Sequence, residues 1–328
     1  MTINTDFDTR RGAWTLRNVG PMLLENRSQV LLYGAALVMV VAFSIASPVF
    51  FSADNFLNIG RQTTLVSIIA VGMTFVIISG QIDISVASNV ALSGMVAAIA
   101  MQQFGDFWGI GAAAGILCGM AVGLVNGIVT AVWRVPSFLV TLGMLGIARG
   151  TALLLTDAKP VLINDPNYYA IFGEGSILGI PAPVLWTIVA LAIGAVLLHG
   201  TRFGRRVYAT GGNAVAARYS GINTVRTTIV AFLIVGALAG LAALVLTARF
   251  HAARPDVASG LELDVIAAVI LGGTSLFGGR GLIFGTLMGS LIIGILNNGL
   301  VLLGVNSAAQ LVIKGIIIIV AVGISNKR

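Results

Sequence analysis

RTTIVAFLIVGALAGLAALVLTA, residues 226 to 248, carries a charge at its first position and none after it. A helix rises about 1.5 Å per residue, so roughly 20 such residues cross a hydrocarbon core of about 30 Å. A soluble core has no use for an uncharged run of that length, and the bilayer is the solvent for this segment. Comparable runs lie near 28–46, 62–79, 84–101, 108–132, 138–155, 182–199, 262–277, 282–303 and 308–324. They predict an all-α, polytopic membrane protein of about ten transmembrane helices. The runs are continuously apolar and lack the alternating, roughly ten-residue segments of a barrel strand, so helices remain as the way to satisfy the backbone in lipid.

Composition agrees. Hydrophobic residues make up 57% of the chain and charged ones 9%, with a mean hydropathy of +1.00, where a soluble domain holds about 25% charged residues. The first run follows Arg10, Arg11, Arg17 and Arg27 but exceeds the roughly 7–15 apolar residues of a secretory signal, so it reads as a retained helix. Cys118 is the single cysteine, which leaves neither a disulfide nor a cysteine-based metal site.

The net charge of +7 is spread between the spans instead of forming one face, which argues against nucleic acid. The positive-inside rule explains it better. With the N-terminus in the cytoplasm, that side collects the N-terminal arginines, Arg134, Arg202, Arg205, Arg206, Arg218, Arg226, Arg280, Lys327 and Arg328; the other side receives Arg61, Lys159, Arg249 and Arg254. Residues 1–27 then form a cytoplasmic segment, residues 28–328 the transmembrane domain, and both termini are cytoplasmic. Two connections are long enough to hold structure. The external one, residues 156–181 (TDAKPVLINDPNYYAIFGEGSILGIP), has the turn signals of a folded cap. The cytoplasmic one, residues 200–225 (GTRFGRRVYATGGNAVAARYSGINTV), has basic residues and a Gly-Gly-Asn turn ahead of a short helical stretch, Ala214 to Ser220. Asn213 is placed to cap its start and Gly221 to end it. The stretch is too polar to insert and too short to stand alone, which suggests a lever gripped by another protein; a solvated loop whose arginines only set topology is the competing reading.

Two pairs of segments hint at a repeat. LVNGIVTAVWRVPSFLVTLG (124–143) shares its Asn-Gly pair and later Leu-Val and Gly with LNNGLVLLGVNSAAQLVIKG (296–315), and DISVASNVALSG (83–94) matches ELDVIAAVILGG (262–273) in its acidic start, valines, leucine and glycine. Helices 2–5 and 7–10 would then be two inverted four-helix repeats, an arrangement transporters use around a midplane site. Chance similarity among apolar segments competes with that reading.

No phosphate-cradling GxxxxGK[ST] loop exists, since the lysines are Lys159, Lys314 and Lys327. With only His199 and His251, neither a histidine metal site nor a triad is in prospect. No catalytic residue is expected, and no cofactor bound by the chain.

Four blocks carry a resemblance: SGQIDISVAS (79–88), GLVNGIVTAVWRVPSFLVTLGM (123–144), TGGNAVAARYSGI (210–222) and LDVIAAVILGGTSLFGGRG (263–281). In order and spacing they resemble the permease subunits of bacterial ribose, xylose, arabinose and galactoside ABC importers, over nearly the whole chain after residue 28. The resemblance implies a multi-pass protein of the bacterial inner membrane that pairs with a second permease copy or close relative. It also implies a cytoplasmic ATPase partner that uses ATP and Mg, and an external binding protein that delivers a monosaccharide. Gly212, Asn213, Ala216, Ala217, Arg218, Ser220 and Gly221 fall on the family's coupling helix, which sits in a groove on the ATPase. One block departs: Gln81 and Ala87 stand where the family commonly has glycines, and a glycine there permits backbone geometry that other residues do not. An ion-coupled secondary transporter needing no ATPase is the alternative.

Charged groups within apolar spans are functional candidates. Asp83, Glu262 and Asp264 lie at span starts, where they either cap helices against the positive dipole end or line a pathway. Lys314 either snorkels to the interface or meets an acid. Asn89 is a pathway candidate, and Asn126 and Asn298, matched between the repeats, either bridge helices or meet a solute. Gly272-Gly273 and Gly278-Gly279 allow a sharp reversal, and Gly281, Gly285 and Gly289 form a close-packing face.

Overall fold

A computed structural model describes residues 27–105 and 107–325; the expected cytoplasmic segment 1–27, Arg27 apart, lies outside the described residues, as do Lys327 and Arg328. The chain is built from helices α1 (Arg27–Ala46), α2 (Ala53–Ile78), α3 (Val86–Gln103), α4 (Trp108–Ala131) and α5 (Ser137–Leu154). After an end cap containing α6 (Pro166–Tyr168) come α7 (Ala182–Ala195, extended by a wide turn to Gly200), α8 (Arg202–Gly212), α9 (Ala214–Tyr219), α10 (Thr224–Phe250), α11 (Leu261–Leu271), α12 (Ile283–Leu302) and α13 (Ser307–Ser325). Among the described residues, α2, α4, α5, α7 with its extension, α10 and α12 are long and apolar enough to cross a membrane.

Three expected boundaries need correction. α2 starts nine residues before the expected 62, at Ala53, because Ser52 caps it by accepting from the Asn55 amide at 3.2 Å. α11 ends at Leu271 rather than 277, because Gly272 and Gly273 break it and Gly273, Gly278 and Gly279 all take positive φ. Residues 202–212 are a capped helix instead of part of a basic loop. Thr201 Oγ1 accepts from Phe203 and Gly204 amides at 3.1 and 3.2 Å, and Gly204 and Gly211 within α8 serve approach, since a Cβ at either would fall on the Leu198 or the Ile78 carbonyl.

α2 and α10 form the centre, each buried along most of its length. The two seams that join them to neighbours differ. α4 carries glycines at 111, 115, 119, 123 and 127, one per turn, and a Cβ at Gly119, Gly123 or Gly127 would meet α10 backbone at Gly236, Phe232 or Ile229. Small residues let these backbones touch. α2 meets α12 through side-chain hydrogen bonds instead: Asn55 with Asn298 (3.0 and 3.1 Å), Ser67 with Ser290 (2.8 Å) and Thr74 with Thr286 (2.7 Å). Gly285 and Gly289 pack on Gly272 and Ala268 and make a close face of α12 against α11, whereas Gly281, expected on the same face, precedes α12 and lies against Ile78 and Thr274.

The ends of the bundle are chemically unlike. One gathers the α2–α3 link, the α4–α5 link, α8–α9 and the α11–α12 loop, with Gly279 N donating to Ile78 O at 2.9 Å. The other carries a folded cap. β1 (Val161–Leu162) pairs antiparallel with β4 (Ala252–Ala253), and β2 (Ser176–Ile177) with β3 (Ile180–Pro181). Asp165 ties the cap to α4 by accepting from the Trp108 amide at 2.8 Å. Tyr168, fully buried, shares a hydrogen bond with Thr247 (2.7 Å), and Phe172 stacks on Trp186 at 5.4 Å.

Candidate functional site

α9 is a six-residue helix held at both ends. Asn213 Oδ1 accepts from the amides of Val215 and Ala216, both at 3.0 Å, while its own amide closes α8 by donating to Ala209 O at 3.2 Å. One residue therefore ends a helix and starts the next. At the far end Gly221 takes φ +81°, its amide donating to Arg218 O (2.9 Å) and that of Ile222 to Ala217 O (3.0 Å), the paired bonds of a glycine-terminated helix. Ser220 Oγ returns to Ala216 O at 3.0 Å. Ala217 packs inward at 4% exposed, whereas Val215 (61%) and Tyr219 (90%) point away from the bundle. Gly212 is open, with no atom within 4 Å of where a Cβ would stand. The seven residues expected on a coupling helix thus occupy one capped knuckle. α8 anchors it: Phe203 stacks on Phe75 at 6.0 Å, and the Tyr208 hydroxyl donates to Gly281 O at 2.7 Å.

The candidate polar residues divide into two clusters. In the first, Asp83 accepts from the Ser85 amide (2.8 Å) and hydroxyl (2.6 Å), and Asn126 Nδ2 donates to Ser85 Oγ (2.9 Å) and Asp83 Oδ2 (3.4 Å). The turn into α3 is thereby tied to α4. In the second, Asp264 Oδ2 in the first turn of α11 accepts from Lys314 Nζ of α13 (2.9 Å) and Asn297 Nδ2 of α12 (3.4 Å). Of the two fates open to Lys314, the structure has the acidic partner. Asn89 bridges α3 to α4 through Gly119 O (3.2 Å) and accepts from Ser93 (3.1 Å). Glu262 does not cap α11: Gly260 stands at the cap position, and Glu262 Oε2 is buried without a hydrogen-bond partner. Asn298 belongs to the α2 seam through Asn55, and its neighbour Asn297 is the amide that meets Asp264. Sequence reasoning missed Ser85, Asn297 and Asn55; the doubled Asn297-Asn298 was the one signal for the second of these.

The family described as "Branched-chain amino acid transport system / permease component" matches residues 55–322. The chain belongs to this permease family. The permease is 43% identical over 310 residues to the ribose import permease protein RbsC of Escherichia coli K12, covering 93% of this chain and 95% of that one. It is 45% identical over 296 residues to the ribose import permease protein RbsC of Bacillus subtilis strain 168 (89% and 90% covered). It is also 39% identical over 303 residues to the L-arabinose ABC transporter permease protein AraH of Azospirillum brasilense (92% and 88%). No solved structure matches. The permease is a multi-pass protein of the cytoplasmic membrane and a transport subunit rather than an enzyme.

Proposed function

We propose that this permease forms the membrane pathway of an ATP-driven importer for a monosaccharide, a pentose, hexose or related polyol. A separate cytoplasmic ATPase, using ATP and Mg, grips α9, an external binding protein delivers the sugar to the capped end, and two permease copies pair in the membrane. The observation that carries this reading is the α9 knuckle: a helix fixed at both ends by Asn213 and Gly221, inward at Ala217, and outward at Val215 and Tyr219. A segment so braced transmits a push to α8 and α10 instead of absorbing it. The sugar class rests on the ribose and arabinose permeases to which the chain is similar over about nine-tenths of its length.

The orientation is supported by charge. Arg134, Arg202, Arg205, Arg206, Arg218, Arg226 and Arg280 belong to the α8–α9 end, against Arg61, Lys159, Arg249 and Arg254 at the capped end, the excess the positive-inside rule asks of a cytoplasmic α8–α9. An inverted pair of four-helix units, α2–α5 and α10–α13 within about ten spans and with both termini cytoplasmic, is supported by contact pattern. α10 packs on α4 as α2 packs on α12, and α3 on α10 as α11 on α2. An acid-to-asparagine hydrogen bond in each unit, Asp83–Asn126 and Asp264–Asn297, supports the same reading. A chain working by ion coupling would carry solute alone. Reconstituted vesicles separate the readings: uptake needing the ATPase, nucleotide and binding protein upholds the importer, and uptake by the purified chain without them refutes it.

A further inference from the structure

A cleft of about 350 Å³ lies between α8–α9 and the bundle, lined by donors that include Ser79, Gln81, Thr130, Arg134, Thr210 and Arg218. Among the described residues no acidic side chain lines it. Arg134 comes from the α4–α5 link. Arg218, on α9, has its guanidinium fixed by Nε donating to Thr224 Oγ1 at 2.8 Å.

A second observation concerns the threonines. Six helical threonines, Thr63, Thr64, Thr74, Thr141, Thr227 and Thr247, each donate their hydroxyls to the carbonyl four residues back. Thr130 and Thr210 do not. They are 7% and 5% exposed, their Oγ1 atoms are buried without a partner, and both line this cleft, from α4 and from α8. A buried hydroxyl that forgoes an available carbonyl costs free energy unless something in the cleft takes the bond.

We propose that the cleft binds a phosphate group, borne either by a free phosphorylated solute or by a lipid headgroup. Two guanidinium forks and two hydroxyls suit the oxygens of a phosphate, which arginine meets with paired hydrogen bonds. The volume falls in the range of small-ligand sites. Ala214 and Arg218, one turn apart on α9, both face the cleft, so an occupant sits between the knuckle and the bundle and sets how far one moves against the other. The inference goes beyond the importer reading and is measured without ATPase or sugar.

Two arms test it on the purified full chain. Delipidated protein in maltoside micelles is titrated with inorganic phosphate by calorimetry. Separately, amide exchange of residues 210–218 is compared between those micelles and phosphatidylglycerol nanodiscs free of phosphate. Saturable phosphate binding marks a free ligand, and protection confined to the nanodiscs marks a headgroup; either supports the site. In the responding arm Arg134→Gln weakens the effect about tenfold and Thr130→Val about fivefold, the second being isosteric and removing only an unpaired hydroxyl. No response in either arm, or one unchanged in both monodisperse variants, overturns the proposal.

Discussion

The Asp264 carboxylate accepts from the Lys314 ammonium at 2.9 Å, and the two side chains are 11% and 20% exposed within an apolar bundle. The pair joins α11 to α13 across fifty residues of sequence. Removing one partner strands the other charge in a largely buried position, a loss of up to roughly 3–5 kcal/mol. Thermal unfolding in micelles should find Asp264→Leu and Lys314→Met each strongly destabilising and the double variant far milder than their sum. Additive losses would mean that the two charges do not act together.

Asn213 ends α8 and starts α9, so Asn213→Ala removes two hydrogen bonds from a six-residue helix. Loss of such a cap costs about 1 kcal/mol. Amides of residues 214–221 should exchange several-fold faster while those of α10 are unchanged, and ATP-driven uptake should fall with them. Unaltered exchange would remove Asn213 from its capping role.

Tyr219 is 90% exposed and packs little against the described residues. Tyr219→Ala should leave the melting temperature within a degree or two of the parent, about the effect of a change near 0.5 kcal/mol, yet weaken pull-down of the ATPase. Ala217→Arg is a poorer probe, because Ala217 is buried and an arginine there would dislodge α9 itself. Undiminished association in Tyr219→Ala would turn attention from the knuckle to the remainder of the basic end.

Gly119 and Gly143 make a matched pair of tests. A Cβ at Gly119 would collide with the Gly236 carbonyl, whereas nothing lies within 4 Å of one at Gly143. Gly119→Ala should destabilise by roughly 1–3 kcal/mol, as overpacking does, and Gly143→Ala should gain up to about 1 kcal/mol from helix propensity. Equal responses would deny the α4–α10 seam its close contact.

Much of this architecture is written locally. The runs at 108–132, 138–155 and 226–248 locate α4, α5 and α10 within two residues at either end, because lipid demands uninterrupted apolar sequence and the flanking chain does not supply it. The first turns of α2 escape that logic: Asn55, Asn58 and Arg61 are polar, and their helicity depends on a cap at Ser52. α8 escapes it because Gly204, Gly211 and Gly212 read as turns when taken alone. The site divides the same way. Asn213 and Gly221 are legible, since capping involves near neighbours, whereas the meeting of Asp264 with Lys314 and Asn297 depends on how α11, α12 and α13 stack.

The two seams of the bundle have different mechanical tempers. Along α2 and α12, Thr74 and Thr286 each also reach a carbonyl four residues back on their own helix, Ala70 O and Leu282 O. Each hydroxyl can thus surrender its cross-helix bond and remain satisfied. Along α4 and α10, interlocked backbones offer no such substitute. Sliding of α2 along α12 therefore meets a low barrier at the hydroxyl seam, which behaves as a bearing, while α4 and α10 move as one rigid piece.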